Sequence, residues 1–148
     1  MKNILLPLEL ENPKKDEMLV ATAIEYALPF NAKCWLVHVV PPEPDFIGYD
    51  VGPQYIRDQL AENLREDHKK IQAIANQLKT KGLDAEGLLI QGATVEMIER
   101  EIEKLNIDLL IIANRKYGFT DILFKGSFRN ELIESHKVPI LLVPFHEV

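Results

Sequence analysis

The sequence predicts an α/β fold of the doubly wound, Rossmann-like kind: a five-stranded parallel sheet with helices on both faces. Three observations predict it. Strand-like and helix-like segments alternate almost without exception along the chain. The strand-like runs are nearly unbroken apolar stretches, as expected of strands covered on both faces. The length, 148 residues, is that of one domain able to bury a real core, and no repeat, linker or low-complexity tract divides it. Residues 1–148 are therefore read as a single domain, with right-handed crossovers joining the strands.

The elements follow in order. "NILLPL" (3–8) is a short apolar run suited to a central strand. Asn12 and Pro13 then start a helix, Asn as N-cap and Pro in the first turn, and Leu19, Val20, Ala23, Ile24 and Ala27 carry it until Pro29. "KCWLVHVV" (33–40) is the second strand. Residues 41–53 hold four prolines and two glycines and form a loop long enough to have a job, with Phe46 and Tyr49 suited to a lid or a dimer contact. In the long helix that follows, Ile56, Leu60, Leu64, Ile71, Ala75 and Leu78 form one stripe, with His68 as a boundary or core residue on it. Gly82 ends this helix. "AEGLLIQG" (85–92) is the third strand, and Thr94 caps a helix that buries Val95, Ile98, Ile102 and Leu105. "DLLIIA" (108–113) is the fourth strand. Ser127 begins a short helix with Phe128, Leu132 and Ile133, and "VPILLVP" (138–144) closes the sheet.

Charge narrows the partners. A net charge of -6 argues against general nucleic-acid binding and against attraction to anionic membranes. Within that acidic chain, residues 114–129 gather Arg115, Lys116, Lys125 and Arg129 against Asp121 alone. This basic island points to an anionic ligand, with a solvated loop as the competing reading. Cys34 is the only cysteine, so no internal disulfide forms, and its apolar setting suggests a buried, inert thiol. No apolar run approaches the ~20 residues of a membrane helix, and the opening run is too brief for a signal segment, so a cytoplasmic protein is expected.

In an open doubly wound sheet, ligands sit beyond the carboxyl ends of the strands where the strand order reverses. With the first strand central, the crevice lies between it and the fourth. Its walls are Leu8 and Glu9 on one side and Ala113 to Lys116 on the other. Gly126 and Ser127 open a helix, where free N–H groups and the helix dipole attract phosphate. The chain lacks G-x-G-x-x-G after the first strand, a P-loop, H-E-x-x-H and G-x-S-x-G. None of the four histidines, His38, His68, His136 and His146, has a setting that suggests catalysis, and no catalytic or metal-ligating residue is assigned.

The pieces "ILLPLE", "LVHVV", "QGATVEMI" and the final "GS"-helix-"VPILLVP" pattern resemble the universal stress protein family over nearly the whole length. The resemblance implies the strand order 3-2-1-4-5 of the adenine nucleotide alpha hydrolase-like folds. It also implies a stress-response or regulatory role, homodimerisation through the last strand (Val138 to Val143), and binding of ATP or a related adenine nucleotide, with Mg, without efficient catalysis. Nucleotide-binding members carry G-x-x-G-x9-G-[ST]. Anchored on Gly126 and Ser127, that pattern puts Ala113 and Lys116 at its first two glycines. Lys116 either obstructs the phosphate cradle or replaces its backbone contacts with a charge. Val39 falls where the family recognises adenine through the backbone, and Glu9 where it usually has Asp. The candidate nucleotide-binding residues are thus Pro7, Leu8, Glu9, Val39, Gly92, Ala113, Asn114, Arg115, Lys116, Gly126, Ser127, Phe128 and Arg129. A nucleotide-free member acting by dimerisation and protein partners is the alternative.

Overall fold

The computed structural model describes residues 1–40, 54–115, 131–134 and 137–145, with the backbone alone for 54–60, 114 and 115. Loop 41–53, with Phe46 and Tyr49, lies outside the described residues, as do His136 and His146. The element order is β1 (Asn3–Pro7), α1 (Pro13–Ala27), a 3-10 turn (Leu28–Phe30), β2 (Lys33–Val40), α2 (Gln54–Thr80), β3 (Ala85–Gln91), α3 (Thr94–Lys104), β4 (Leu109–Arg115) and β5 (Ile140–Phe145). Residues 131–134 are also helical. All strand pairs are parallel, and their order is β3-β2-β1-β4-β5, as expected.

The two-residue alternation of a strand sends neighbours to opposite faces, and two cores result. On one face Ile4, Leu6, Cys34, Leu36 and Ile111 pack with Leu19, Ala23 and Ala27 of α1 and Ile71, Ala75 and Leu78 of α2. On the other, Leu5, Val37, Leu110 and Ile112 pack with Ile98 and Ile102 of α3 and with Leu132. Each fully buried Leu or Ile contributes about 1.5–3 kcal/mol relative to exposure. Burial also holds the Cys34 thiol in its neutral form, pushing its pKa up to about 11.

Local chemistry sets the helix ends. Asn12 Oδ1 accepts the Lys15 N–H at 3.3 Å, the expected N-cap of α1, with Pro13 in the first turn. Three helical segments leave through a left-handed residue: Asn31 (φ 52), Gly82 (φ 90) and Asn106 (φ 52). After α2, Leu83 N–H donates to Leu78 O at 3.1 Å and Gly82 N–H to Lys79 O at 3.0 Å, which satisfies the last carbonyls and aims the chain into β3. The α3 exit repeats this, with Ile107 N–H on Ile102 O at 3.0 Å and Asn106 N–H on Glu103 O at 3.4 Å.

Four local expectations need correction. The fourth strand runs to Arg115, because Asn114 and Arg115 continue to pair with Pro144 and Phe145. The last strand starts at Ile140 and not at Val138; Val138 packs against the second core before the strand begins. Thr94 is the first helical residue of α3, while the extended Ala93 (φ -72, ψ 127) takes the cap position without a side-chain bond. His68 is exposed. On a helix it sits about 60° from Ile71, whereas Asp67 sits about 40° away on the other side and turns toward the sheet.

Candidate functional site

The crevice arises because β1 is shorter than both of its neighbours. Its pairing with β4 ends at Leu5↔Leu110, while β4 continues to Arg115 on β5 alone. Its pairing with β2 ends at Pro7↔Val37, while β2 continues to Val40 on β3 alone. The carboxyl end of β1 is therefore the floor of an opening flanked by the ends of β2 and β4, the switch point where α/β folds take ligands.

Register then decides which backbone groups face this opening. Val37 O accepts the Leu8 N–H at 2.8 Å, so the polar groups of Val37 point toward β1. Val40 O accepts the Gly92 N–H at 2.9 Å, so those of Val40 point toward β3. Alternation turns the Val39 N–H and C=O toward β1, and among the described residues neither has a partner there. A hydrogen-bond donor and acceptor on one residue thus line the crevice side by side. The same reasoning applies to β4. Leu110 N–H donates to Pro139 O at 3.0 Å, toward β5, so the polar groups of Ala113 face the crevice while its side chain packs on the first core.

The charged groups at the end of β1 are already committed. Glu9 Oε2 lies 2.6 Å from Lys15 Nζ, whose side chain is only 5% exposed. Asp16 is buried, and its Oδ2 accepts the Leu10 N–H at 3.0 Å. Burial raises the Asp16 pKa; the Leu10 N–H, the Lys15 charge and the Glu9 N–H oppose that shift, and the Glu9 charge adds to it. Its Oδ1 is buried without a hydrogen-bond partner among the described residues. Half-buried His38 reaches from β2 with Nδ1 at 2.8 Å from Leu8 O, and its Nε2 is 3.7 Å from Asp67 Oδ2 on α2.

Of the residues expected at the site, the structure gathers Pro7, Leu8, Glu9, Val39 and Ala113 around the opening. Pro7 is half-buried at the last β1 position. The Leu8 side chain is in the first core, so only its backbone reaches the crevice. Glu9 turns its carboxylate to Lys15. Gly92 lies one strand further out, its N–H spent on Val40 O, with φ 153 and Met97 Sδ 2.6 Å from where a Cβ would stand. Asn114 and Arg115 are β4 residues. Lys116, Gly126, Ser127, Phe128 and Arg129 lie outside the described residues. Sequence reasoning missed His38, Lys15 and Asp16. His38 sits in an otherwise apolar strand run, which is its one sequence signal; "NPKKDE" reads as an ordinary polar first turn.

Among the described residues no group of three His, Cys, Asp or Glu side chains could hold a metal ion. Nor is any helix there long and apolar enough to cross a membrane.

A parallel 3-2-1-4-5 sheet with its opening beyond the end of β1 defines a Rossmann-like, doubly wound class of fold. The model of the universal stress protein family matches residues 1–144, and the chain belongs to that family. Solved structures agree on the fold. A universal stress protein family member from Burkholderia pseudomallei is 20% identical, with a TM-score of 0.69 over 97% of this chain and 96% of that one. A universal stress protein in complex with cAMP is 20% identical, with a TM-score of 0.66 over 96% of each chain. The universal stress protein from Archaeoglobus fulgidus in complex with dAMP is 13% identical, with a TM-score of 0.69 over 97% of this chain and 98% of that one. No curated protein matches the sequence significantly.

Proposed function

We propose that this domain binds an adenine nucleotide, ATP or a related one, in the β1–β2–β4 crevice, and serves as a cytoplasmic stress-response regulator rather than an efficient catalyst. The observation that carries this reading is the open backbone of Val39. Its N–H and C=O face the crevice without a partner among the described residues, and the adenine edge offers a matching acceptor and donor. Family members captured with cAMP and dAMP support the ligand class. Ala113 offers backbone groups from the opposite wall, and the cationic stretch from Arg115 to Arg129 supplies charge for phosphates. Mg would enter as the counter-ion of a triphosphate. The regulatory part of the reading rests on engaged side chains. Among the described residues at the opening, Glu9 is tied to Lys15, Asp16 to the Leu10 N–H, and His38 to Leu8 O. None of these is paired as a nucleophile with a base.

Homodimerisation is part of the same proposal. Strand β5 pairs with β4 alone and forms one edge of the sheet, with Leu142 37% exposed on it. An unpaired edge of this kind accepts a second strand. The alternative of a nucleotide-free member acting through that edge is favoured by one feature, Lys116 at a cradle glycine position.

The test is ligand content and thermal shift. Native protein released by heat should yield an adenine nucleotide, or Mg-ATP should raise Tm. A ligand at 100 times its Kd stabilises by about 2.7 kcal/mol. No released nucleotide together with no shift at millimolar Mg-ATP would leave the nucleotide-free reading standing.

A further inference from the structure

If the β1–β2 ladder ran one register further, Glu9 would pair with Val39. The Val39 N–H would donate to Leu8 O, and the Val39 carbonyl would accept the Leu10 N–H. Both of those β1-side groups are instead held by side chains. Leu8 O faces His38 Nδ1 at 2.8 Å, and because a carbonyl only accepts, Nδ1 carries the proton and donates. The Leu10 N–H donates to Asp16 Oδ2 at 3.0 Å. Immediately after the second captured group the chain turns out of the sheet, with Leu10 at φ 65, a conformation no strand residue holds. Asp67 Oδ2 on α2 lies 3.7 Å from Nε2, on the far side of the ring.

We infer that His38 and Asp16 are positioning residues that unzip β1 from β2 at this register, each replacing one Val39 backbone group and leaving the Val39 N–H and C=O open to a ligand. The two substitutions by side chains are complementary. One takes the acceptor that Val39 N–H would use, and the other takes the donor that Val39 C=O would use. With either capture removed, the ladder can close by one residue and cover the adenine-facing edge. The inference rests on the adenine-nucleotide reading for its affinity arm alone; the backbone arm needs no ligand.

The experiment measures amide hydrogen exchange on the unliganded full chain, residue by residue, for wild type, His38→Leu and His38→Asn. Asn places its Nδ2 where the donating Nδ1 stands and preserves the capture; Leu has no donor. In wild type and His38→Asn, the Val39 amide should exchange at least about tenfold faster than that of Val37, which is inside the ladder. In His38→Leu it should slow toward Val37, and AMP affinity should fall about tenfold, the worth of two ordinary hydrogen bonds. Wild-type Val39 as slow as Val37 would overturn the inference. So would a folded His38→Leu variant with unchanged Val39 exchange. If His38→Leu does not fold, the wild-type and His38→Asn rates decide. If wild type binds no AMP yet Val39 exchanges as described, the unzipping stands and only the nucleotide reading falls.

Discussion

Gly87 of β3 lies directly against Ile71 of α2, and a methyl group there should set a measurable conflict. A Cβ built on Gly87 would stand 3.1 Å from Ile71 Cγ2, 3.2 Å from Ile71 Cγ1 and 3.3 Å from Ile71 O. Ile71 is fully buried in the first core and cannot swing away. Over-packing of this size costs about 1–3 kcal/mol, and the lost chain freedom of the unfolded glycine returns about 0.4–1 kcal/mol. Gly87→Ala should therefore destabilise by about 1–2 kcal/mol. Ile71→Ala alone should cost about 2–5 kcal/mol, because its branch leaves a cavity. In the double variant the new methyl enters that cavity, so the two costs should fall short of their sum by about 1 kcal/mol or more. Urea unfolding followed by Trp35 fluorescence reads this directly, since Trp35 is the sole tryptophan and its Nε1 donates to Asn3 Oδ1 at 3.1 Å. Costs that add to within about 0.5 kcal/mol would rule out a clash between the new methyl and the Ile71 side chain. They would mean that the strand shifts against the Ile71 carbonyl instead of against its side chain.

Three further outcomes follow from the same geometry. Burial raises the folded pKa of Asp16 above the ordinary aspartate value of about 3.9. Its ionisation therefore opposes folding, and wild type should gain stability relative to Asp16→Asn as pH falls through the raised folded value, levelling off below about 3.9. Urea midpoints of both proteins across pH check the sign, and a wild-type advantage that grows with rising pH would contradict it. Gly92→Ala should destabilise by about 1–3 kcal/mol because φ 153 disfavours a side chain and Met97 must move; chemical denaturation reads the change. Cys34, with its pKa pushed up to about 11 by burial, should stay unlabelled by a thiol reagent at neutral pH until denaturant is added, whereas labelling at the rate of a free thiol would place it outside the core.

Much of the fold was legible in the sequence because its signals are local. Asn12-Pro13 gave a helix start from cap chemistry alone, and Gly82 marked the exit of α2 because that exit needs φ > 0. The extent of β4 was not legible. Asn114 and Arg115 look like a loop, and they are strand only because β5 continues beside them to Phe145. The site was half legible. Val39 could be placed by resemblance, but the reason its backbone is open depends on Leu8, Leu10, His38 and Asp16 meeting across three elements. Lys15 and Asp16 sit in a polar run that gives no hint of burial, since their burial is set by tertiary packing. Glu9 shows the same limit. Its residue type suggested reach toward a ligand, and only the structure shows Lys15 holding it at 2.6 Å.

Whether the open backbone of Val39 takes an adenine nucleotide is read by ¹⁵N-resolved titration of the full chain with Mg-ATP and with AMP. The Val39 amide should shift and its hydrogen exchange should slow on saturation, as its free donor gains a partner, while Trp35, four residues back along β2 and bonded to Asn3, is undisturbed. Saturation that leaves Val39 unshifted and still exchanging freely would contradict adenine-nucleotide binding at Val39.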